Sequence, residues 1–324
     1  MATNPPASNT SASASTVERS ALTSTPVTTV RLPASRQATA VDRVHGFVAG
    51  IASGITKLAV GHPFDTIKVR LQTEGGFGRF RGPLHCLQAT MRQEGFFALY
   101  KGATPPMVGW AIMDSVQLGT LSNLRLLLQR GDKSKKLSVG EHALAGIGAG
   151  LTVSLVATPV ELLKIKLQVQ YADGQTKRYN GPIDCARKII RSHGLPGLWH
   201  GLQGTMVFRS FFWAMWGGYE FYSIQLRKLD WAPSTINFVA GGLAANTFWT
   251  LAFPSDVVKN RYMSQPDTSP LKYPNLRSVY RDIYRTEGLA GFFRGFLPAF
   301  IRSFPTNASA ILVFETAMRL MRDH

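Results

Sequence analysis

This sequence contains very little cysteine and shows no arrangement of residues that could support catalysis. The only two cysteines among 324 residues, Cys86 and Cys185, each follow the proline of a Gly-Pro pair by three residues. The two cysteines thus occupy equivalent positions in a repeated segment, which favours inert repeat positions over a disulfide or a metal site. No nucleophile lies in a pattern with a base and an orienting group, so we expect no enzyme, no metal and no cofactor.

Acidic residues are also scarce. The chain has 19 Asp and Glu against 36 Lys and Arg, which gives a formal net charge of +17. No cluster of Lys and Arg is interleaved with aromatic residues, which argues against a nucleic-acid partner. Basic loops that face an anionic membrane explain the charge better.

Residues 1–41 lack the composition of a folded segment. They are rich in Ser, Thr, Ala and Pro and contain a single acid, Glu18. A segment of this kind cannot bury a core, so we expect a disordered N-terminal tail. A mitochondrial presequence is the alternative, although no clean amphipathic helix supports it.

No stretch of the chain is a pure lipid-type apolar run, yet six stretches have roughly the length that spans a bilayer. They cover about 44–72, 104–129, 138–169, 202–228, 235–263 and 296–321. Polar residues interrupt each of them, including Lys57, Asp114, Arg209 and Arg302, which is typical of helices with one wall on lipid and one on a wet cavity. Short amphipathic segments lie between the paired stretches, at about 83–93, 182–192 and 275–286.

One phrase occurs three times along the chain. It begins at Pro63, Pro159 and Pro254, which are 96 and 95 residues apart. Each copy places an acid two residues and a lysine five residues after a proline that kinks a helix. Each of three units therefore offers one negative and one positive group to its neighbours, and we expect a closed ring of three ion pairs.

The repeat extends beyond this phrase. Small residues recur four apart before each proline, on one helix face, where they would let two backbones approach closely. They are Gly50 and Gly54, Gly146 and Gly150, and Gly241 and Ala245. An acid-glycine step and an aromatic-basic-glycine step follow at 94–102 and 287–295, and the second unit has histidines at the charged positions, His193 and His200. A soluble helical solenoid gives no reason for threefold prolines with charges beyond them.

These motifs resemble those of the mitochondrial carrier family over residues 43–321. The resemblance implies an all-α membrane protein with six tilted transmembrane helices in a threefold pseudosymmetric barrel and three short amphipathic matrix helices. It divides the chain into a tail, 1–41, and three carrier repeats, 42–130, 137–228 and 234–322. It also implies a monomer in the mitochondrial inner membrane with both termini toward the intermembrane space, which exchanges or transports a small metabolite by alternating access.

Two networks of charged residues are implied by the resemblance. The matrix gate would consist of three acids, three lysines and two bracing amides, namely Asp65, Lys68, Glu161, Lys164, Asp256, Lys259, Gln72 and Gln168. Met263 stands where a third brace would be. The cytosolic gate would use Arg125, Glu220, Glu315 and Arg319, which form few complete pairs, so we expect the resting protein to be open to the cytosol.

Lipid binding is expected at the short helices. A helix start with free amide groups and a glycine is an anion site, and lipid phosphate is the abundant anion in a membrane. The candidate cardiolipin-binding residues are Gly82, Gly102, Gly181, Gly201, Asn275 and Gly295. A simple turn before a surface helix is the alternative for each.

The expected substrate carries a carboxylate. Arg302 and Arg209 could each clamp one, and Asp114 could receive a cationic group or neutralise Lys57. The predicted site also includes Gly109, Trp110 and His62; Trp110 could cage a cation or simply pack, and His62 could line the cavity or pack. From Arg302 to Glu315 is 13 residues but from Arg209 to Glu220 is 11, so the cavity-facing side chain of the fourth helix is uncertain.

Motif similarity around 61–73 and 301–308 favours carriers of carnitine and acylcarnitine or of basic amino acids such as ornithine. Ser210 follows Arg209 where amino-acid carriers of this branch usually have an acid, which keeps keto acids and other carboxylates open. The alternatives are a nucleotide or coenzyme carrier, and a proton-leak or non-transporting protein that kept the fold.

Overall fold

Helices are the only regular secondary structure in the part of the chain that the structure describes. The structure is a computed structural model, and it describes residues 40–74, 78–130, 135–170, 178–266 and 271–322. The expectation of a disordered tail concerns residues that lie almost wholly outside these ranges. The prediction of an all-α protein is confirmed.

Each third of the chain contains a long helix, a short helix and a second long arm. The first third has α1 (Ala40–Glu74), α2 (Pro83–Glu94) and α3 (Thr104–Leu128). The second has α4 (Val139–Gln168), α5 (Pro182–His193), α6 (Leu202–Ser210) and α7 (Phe212–Leu226). The third has α8 (Pro233–Ser264), α9 (Leu276–Gly291) and α10 (Phe296–Arg322). One-turn 3₁₀ helices, Phe96–Tyr100 and Leu195–Trp199, follow α2 and α5.

The arm expected over 202–228 is divided in two. Phe211 lies between α6 and α7, and its backbone, with φ of −63° and ψ of −3°, stays in the right-handed region, so the break is a single residue. The division lies beside a close contact with α4, since a Cβ on Gly150 would collide with the carbonyl oxygen of Arg209. The sequence gives no sign of this division, because no proline or glycine stands there.

Local sequence signals start and bend the helices. Pro83 and Pro182 occupy the first turns of α2 and α5, where a missing N–H costs no hydrogen bond. Ser138 and Glu141 form a capping box at the start of α4. The motif prolines lie inside α1, α4 and α8, where each removes a backbone hydrogen bond and favours a kink.

The three kinked helices meet one another. Contacts join α1 with α4, α4 with α8, and α8 with α1. The second arms fill the intervals, because α3 packs on α4, α6 and α7 pack between α4 and α8, and α10 packs on α1. The motifs of all three repeats are thereby brought to one place.

Among the residues that the structure describes, length and apolar composition alone identify two helices as able to cross a membrane, Val139–Gln168 and Thr235–Ser264. The arm of α6 and α7 is divided into pieces of 9 and 15 residues, each too short to span by itself, and α1 carries charged residues along its length, including Lys57, Asp65 and Lys68. Hydropathy is thus a weak indicator for a helix that has a polar wall.

The small-residue faces behave differently in the three repeats. A Cβ on Gly146 would lie 2.8 Å from the carbonyl oxygen of Phe212, so the backbones of α4 and α7 are in close contact. Around Gly50, Gly54 and Gly241, by contrast, no described atom lies within 4 Å of such a Cβ. The close approach that these residues permit is therefore present in the second repeat and absent at Gly50, Gly54 and Gly241.

Candidate functional site

Three ion pairs link the three motif helices in a closed cycle, called here the ion-pair ring. Each lysine reaches the acid of the preceding repeat, and the first repeat reaches the third. The pairs are Lys68 to Asp256 at 2.8 Å, Lys164 to Asp65 at 2.7 Å and Lys259 to Glu161 at 2.8 Å. No side chain in the ring is more than 17% exposed, so the pairs are largely desolvated.

The two predicted braces differ in what they contact. Gln72 donates a hydrogen bond of 3.0 Å to Asp256 and accepts one of 2.6 Å from Asn260, so it supports one ion pair directly. Gln168 instead donates to the Thr66 hydroxyl at 3.1 Å. Among the described residues Gln168 makes no hydrogen bond to an ion pair, so the expected brace is not formed in this repeat. Met263 is fully buried against Gly201.

Aromatic rings hold two of the three lysines. The Lys68 ammonium lies 4.7 Å from the ring centre of Trp249 and 5.3 Å from that of Phe253. The Lys259 ammonium lies 4.4 Å from the ring centre of Phe208. Cation–π contacts of this kind are attractive. The motif gives no sign of these aromatic partners, because they come from helix faces that it does not include.

A second cycle of contacts, the carbonyl ring, lies beside the first. The second basic residue of each motif donates to a backbone carbonyl of the following repeat. The bonds are Arg70 to Gln168 O at 3.1 Å, Lys166 to Gln265 O at 2.9 Å and Arg261 to Gln72 O at 3.1 Å. Carbonyls at helix ends lack partners inside the helix, and a cation there also suits the helix dipole. In the carbonyl ring each base contacts the following repeat, whereas in the ion-pair ring each lysine contacts the preceding repeat, so the two cycles run in opposite directions.

The acid-glycine step ties two of these bases to the short helices. Arg70 donates to both carboxylate oxygens of Glu94, at 2.6 and 3.1 Å, and Lys101 pairs with the same carboxylate. Burial alone would raise the pKa of Glu94, but the hydrogen bonds from Arg70 and Lys101 hold that pKa below its ordinary value. Arg261 donates a single hydrogen bond of 2.6 Å to Glu287, and Arg294 is the second cation at that carboxylate. In the second repeat His193 stands at the acid's position.

The two arginines predicted to bind substrate contact acids of the ion-pair ring. Arg209 Nη2 lies 2.6 Å from Glu161 Oε1 and forms a hydrogen bond. Arg302 Nε lies 3.3 Å from Asp65 Oδ1, close enough for an ion pair but without hydrogen-bond alignment. Arg302 Nη1 would lie 3.5 Å from a Cβ on Gly61, which places it one turn before Asp65 on α1, on the side away from the short helices.

Asp114 and Lys57 are both exposed. Asp114 lies within electrostatic reach of Lys57 and of Arg209. In this position Asp114 can serve either as the partner of Lys57 or as the group that receives a cationic part of the substrate.

Three other predicted substrate residues lie in packing contacts. A Cβ on Gly109 would lie 2.9 Å from Val160, so this glycine permits close packing of α3 on α4. Trp110 packs on the apolar cluster around Val153. His62 is fully buried, with its Nε2 3.0 Å from the carbonyl oxygen of Lys101. Their assignment to a substrate site stays a prediction, and the structure gives each a packing role.

The predicted cytosolic gate is unpaired. None of the ion pairs within the described residues includes any of its four members, Arg125, Glu220, Glu315 and Arg319. The Arg125 guanidinium instead lies 5.1 Å from the ring centre of Trp216. The structure thus combines a fully paired ring at one end with unpaired charges at the other.

The glycine of each aromatic-basic-glycine step packs against the proline-kinked helix of the following repeat, α4, α8 or α1. Gly102, Gly201 and Gly295 have φ of +76°, +92° and +76°. A Cβ on Gly102 would lie 2.7 Å from Lys164 O, and one on Gly295 would lie 2.9 Å from Lys68 O. Both the left-handed backbone and the close contact favour glycine here.

The remaining lipid candidates lie at helix starts. Gly82 and Gly181 precede α2 and α5 and have open space around them. A cavity of about 210 Å³ brings Gly82 of the first repeat beside Gly295 of the third, with Arg81 and Arg294 in its lining. The Asn275 side chain accepts a 2.9 Å hydrogen bond from the Ser278 amide, so its oxygen caps α9 itself.

Three helical hairpins joined by a ring of charged side chains define a membrane carrier built from tandem repeats. The family model "Mitochondrial carrier protein" matches residues 40–132, 135–229 and 230–324, and the chain belongs to this family. The family fold has six long helices and its members are transporters of small molecules in mitochondrial membranes. The predictions of the family and of the fold class are confirmed.

Relatives with several different names match most of the chain. Mitochondrial substrate carrier family protein L of Dictyostelium discoideum is 43% identical over 280 residues, 86% of this chain and 96% of the relative. Mitochondrial magnesium exporter 1 of Drosophila melanogaster is 35% identical, over 86% of this chain and 95% of the relative. The human mitochondrial carnitine/acylcarnitine carrier protein is 32% identical, over 87% of this chain and 95% of the relative.

Proposed function

We propose that this protein carries a small carboxylate-bearing metabolite across the mitochondrial inner membrane by alternating access. The observation that carries the proposal is the closed ion-pair ring, with one pair between each two repeats, and with Arg209 and Arg302 in contact with its acids. The ring is the barrier on the matrix side. The protein provides no chemistry, only binding and a change of access.

Ion pairs suit a barrier that must open. A desolvated pair gains little net stability over an apolar contact, since desolvation offsets much of the attraction. Breaking it in the presence of substrate and water therefore requires less free energy than separating a large apolar plug. The unpaired charges of the predicted cytosolic gate support a resting state that is open to the cytosol.

Within this class, motif similarity ranks carnitine and acylcarnitine, or a basic amino acid such as ornithine, as the narrower candidates. The carnitine/acylcarnitine carriers among the relatives support the first. A divalent cation, named for another relative, is not proposed as substrate, because the positively charged side chains around the ring would repel it.

Reconstitution into liposomes tests the proposed function. Vesicles loaded with one carboxylate should take up a labelled one, and Arg302→Ala should strongly slow the exchange of the preferred substrate. Arg191→Ala on the exposed face of α5 is the matched control and should exchange normally. Proton flux that depends on fatty acid, without exchange, would instead identify a leak protein. A folded protein with neither activity would be a scaffold.

We also propose a monomer with both termini toward the intermembrane space and with cardiolipin at the short helices. The cavity between Gly82 and Gly295, flanked by Arg81 and Arg294, supports the lipid site, since backbone amides and two arginines suit a phosphate. Cardiolipin should raise the melting temperature of the purified protein more than phosphatidylcholine does. Arg81→Gln should reduce that difference.

A further inference from the structure

Positive charge exceeds negative charge around the ion-pair ring. Asp65 is shared by Lys164 and Arg302, and Glu161 is shared by Lys259 and Arg209. The third acid, Asp256, contacts Lys68, Lys259 and the amide of Gln72. Five cationic side chains therefore surround three carboxylates, an excess of two positive charges.

The excess lies where charge is costly to leave unbalanced. Arg209 is 8% exposed, and the side chain of Arg302 is 23% exposed. Lys57 and Asp114, which lie within electrostatic reach of each other, have opposite signs and cancel in the net charge. Desolvated cations strongly favour the arrival of compensating anions. The excess therefore favours a substrate with net negative charge.

The two excess charges occupy separate places. Arg209 lies on α6 and contacts the acid of α4, whereas Arg302 lies on α10 and contacts the acid of α1. Two anionic groups joined by a short chain could meet both arginines, and a carboxylate matches the planar donor fork of each guanidinium.

We propose that the substrate is a dicarboxylate, with two separated carboxylates and a net charge of −2. This inference rests on the proposed function, because it concerns the same site. Each substrate carboxylate takes one arginine from its acid of the ring, which leaves Asp65 and Glu161 with one lysine apiece. Carnitine and basic amino acids, whose cationic groups offset their carboxylate, leave the excess charge in place.

The test is counter-exchange by the full-length protein in liposomes. The panel contains succinate, glutarate and adipate, whose carboxylates lie at increasing separation, together with butyrate, carnitine and ornithine at equal concentration. At least one dicarboxylate should exchange about tenfold or more faster than butyrate, which corresponds to about 1.4 kcal/mol. The best chain length reports the separation of the two guanidinium groups.

Two variants distinguish binding from a structural role. Arg209→Gln and Arg302→Gln should each lower the ratio of dicarboxylate to butyrate exchange by about tenfold. Arg302→Lys, which keeps the charge, should restore part of that ratio. A merely structural arginine would lower both rates together and leave the ratio unchanged. Arg191→Gln on the surface of α5 is the control, and circular dichroism verifies the fold of each variant.

The outcomes separate this inference from the proposed function. Dicarboxylates no faster than butyrate, or exchange of carnitine or ornithine alone, would overturn the dicarboxylate substrate and leave a carboxylate carrier standing. An unchanged ratio in both arginine variants would also overturn it. No exchange of any carboxylate by folded protein would overturn both.

Discussion

Lys68 and Asp256 lie 188 residues apart in the sequence and 2.8 Å apart in the structure. Removing one partner leaves a buried charge without compensation, which costs more than the pair itself contributes. Asp256→Asn should therefore destabilise this conformation by about 3–5 kcal/mol, measured as a lower melting temperature. The exchanged pair, Lys68→Asp with Asp256→Lys, should recover much of the loss. A double variant no more stable than Asp256→Asn would contradict the pairing.

The aromatic contacts of Lys68 predict a smaller effect. Trp249→Leu keeps an apolar side chain but removes the ring face below the ammonium, and should cost about 0.5–2 kcal/mol. Trp213, which is 41% exposed, provides the control, and Trp213→Leu should change stability little. A double-mutant cycle with Lys68→Met isolates the contact, and additive effects would count against it.

Two glycines allow a matched comparison of backbone strain and space. Gly102 has a φ of +76° and its Cβ would collide with Lys164 O, whereas Gly82 has an extended backbone and open space. Gly102→Ala should destabilise the protein by about 1–3 kcal/mol, and Gly82→Ala by much less. Melting temperatures in detergent provide the measurement. Equal losses at the two sites would show that the close contact is absent.

Glu94 predicts a dependence of stability on pH. Its pKa is lower in the folded protein because Arg70 and Lys101 donate to it. The stabilisation is therefore fully present above the ordinary glutamate pKa of about 4.3 and is lost as pH falls through the lower folded value. Glu94→Gln should melt earlier at neutral pH and lose less stability between pH 5 and 3. Parallel pH profiles for the two proteins would exclude this role.

Local sequence signals predict the helices well. The apolar stretches, prolines and Gly-Pro steps place all six long arms and three short helices close to their observed bounds. The division at Phe211 and the open faces at Gly50 and Gly241 were not predictable. They depend on which partner helix approaches, and a small residue permits a close approach without causing it.

The sequence by itself determined the three repeats and the six charged side chains that meet between them. Each copy has its acid and its lysine at the same spacing from a proline that kinks the helix, so the three copies present the same groups. Only the tertiary structure decided which acid each lysine contacts, and that Arg209 and Arg302 lie against two of those acids. It also decided the bonds from Arg70, Lys166 and Arg261 to carbonyls of the next repeat. A backbone carbonyl is the same at every residue, so the sequence carries no sign of which one becomes an acceptor until the helices converge.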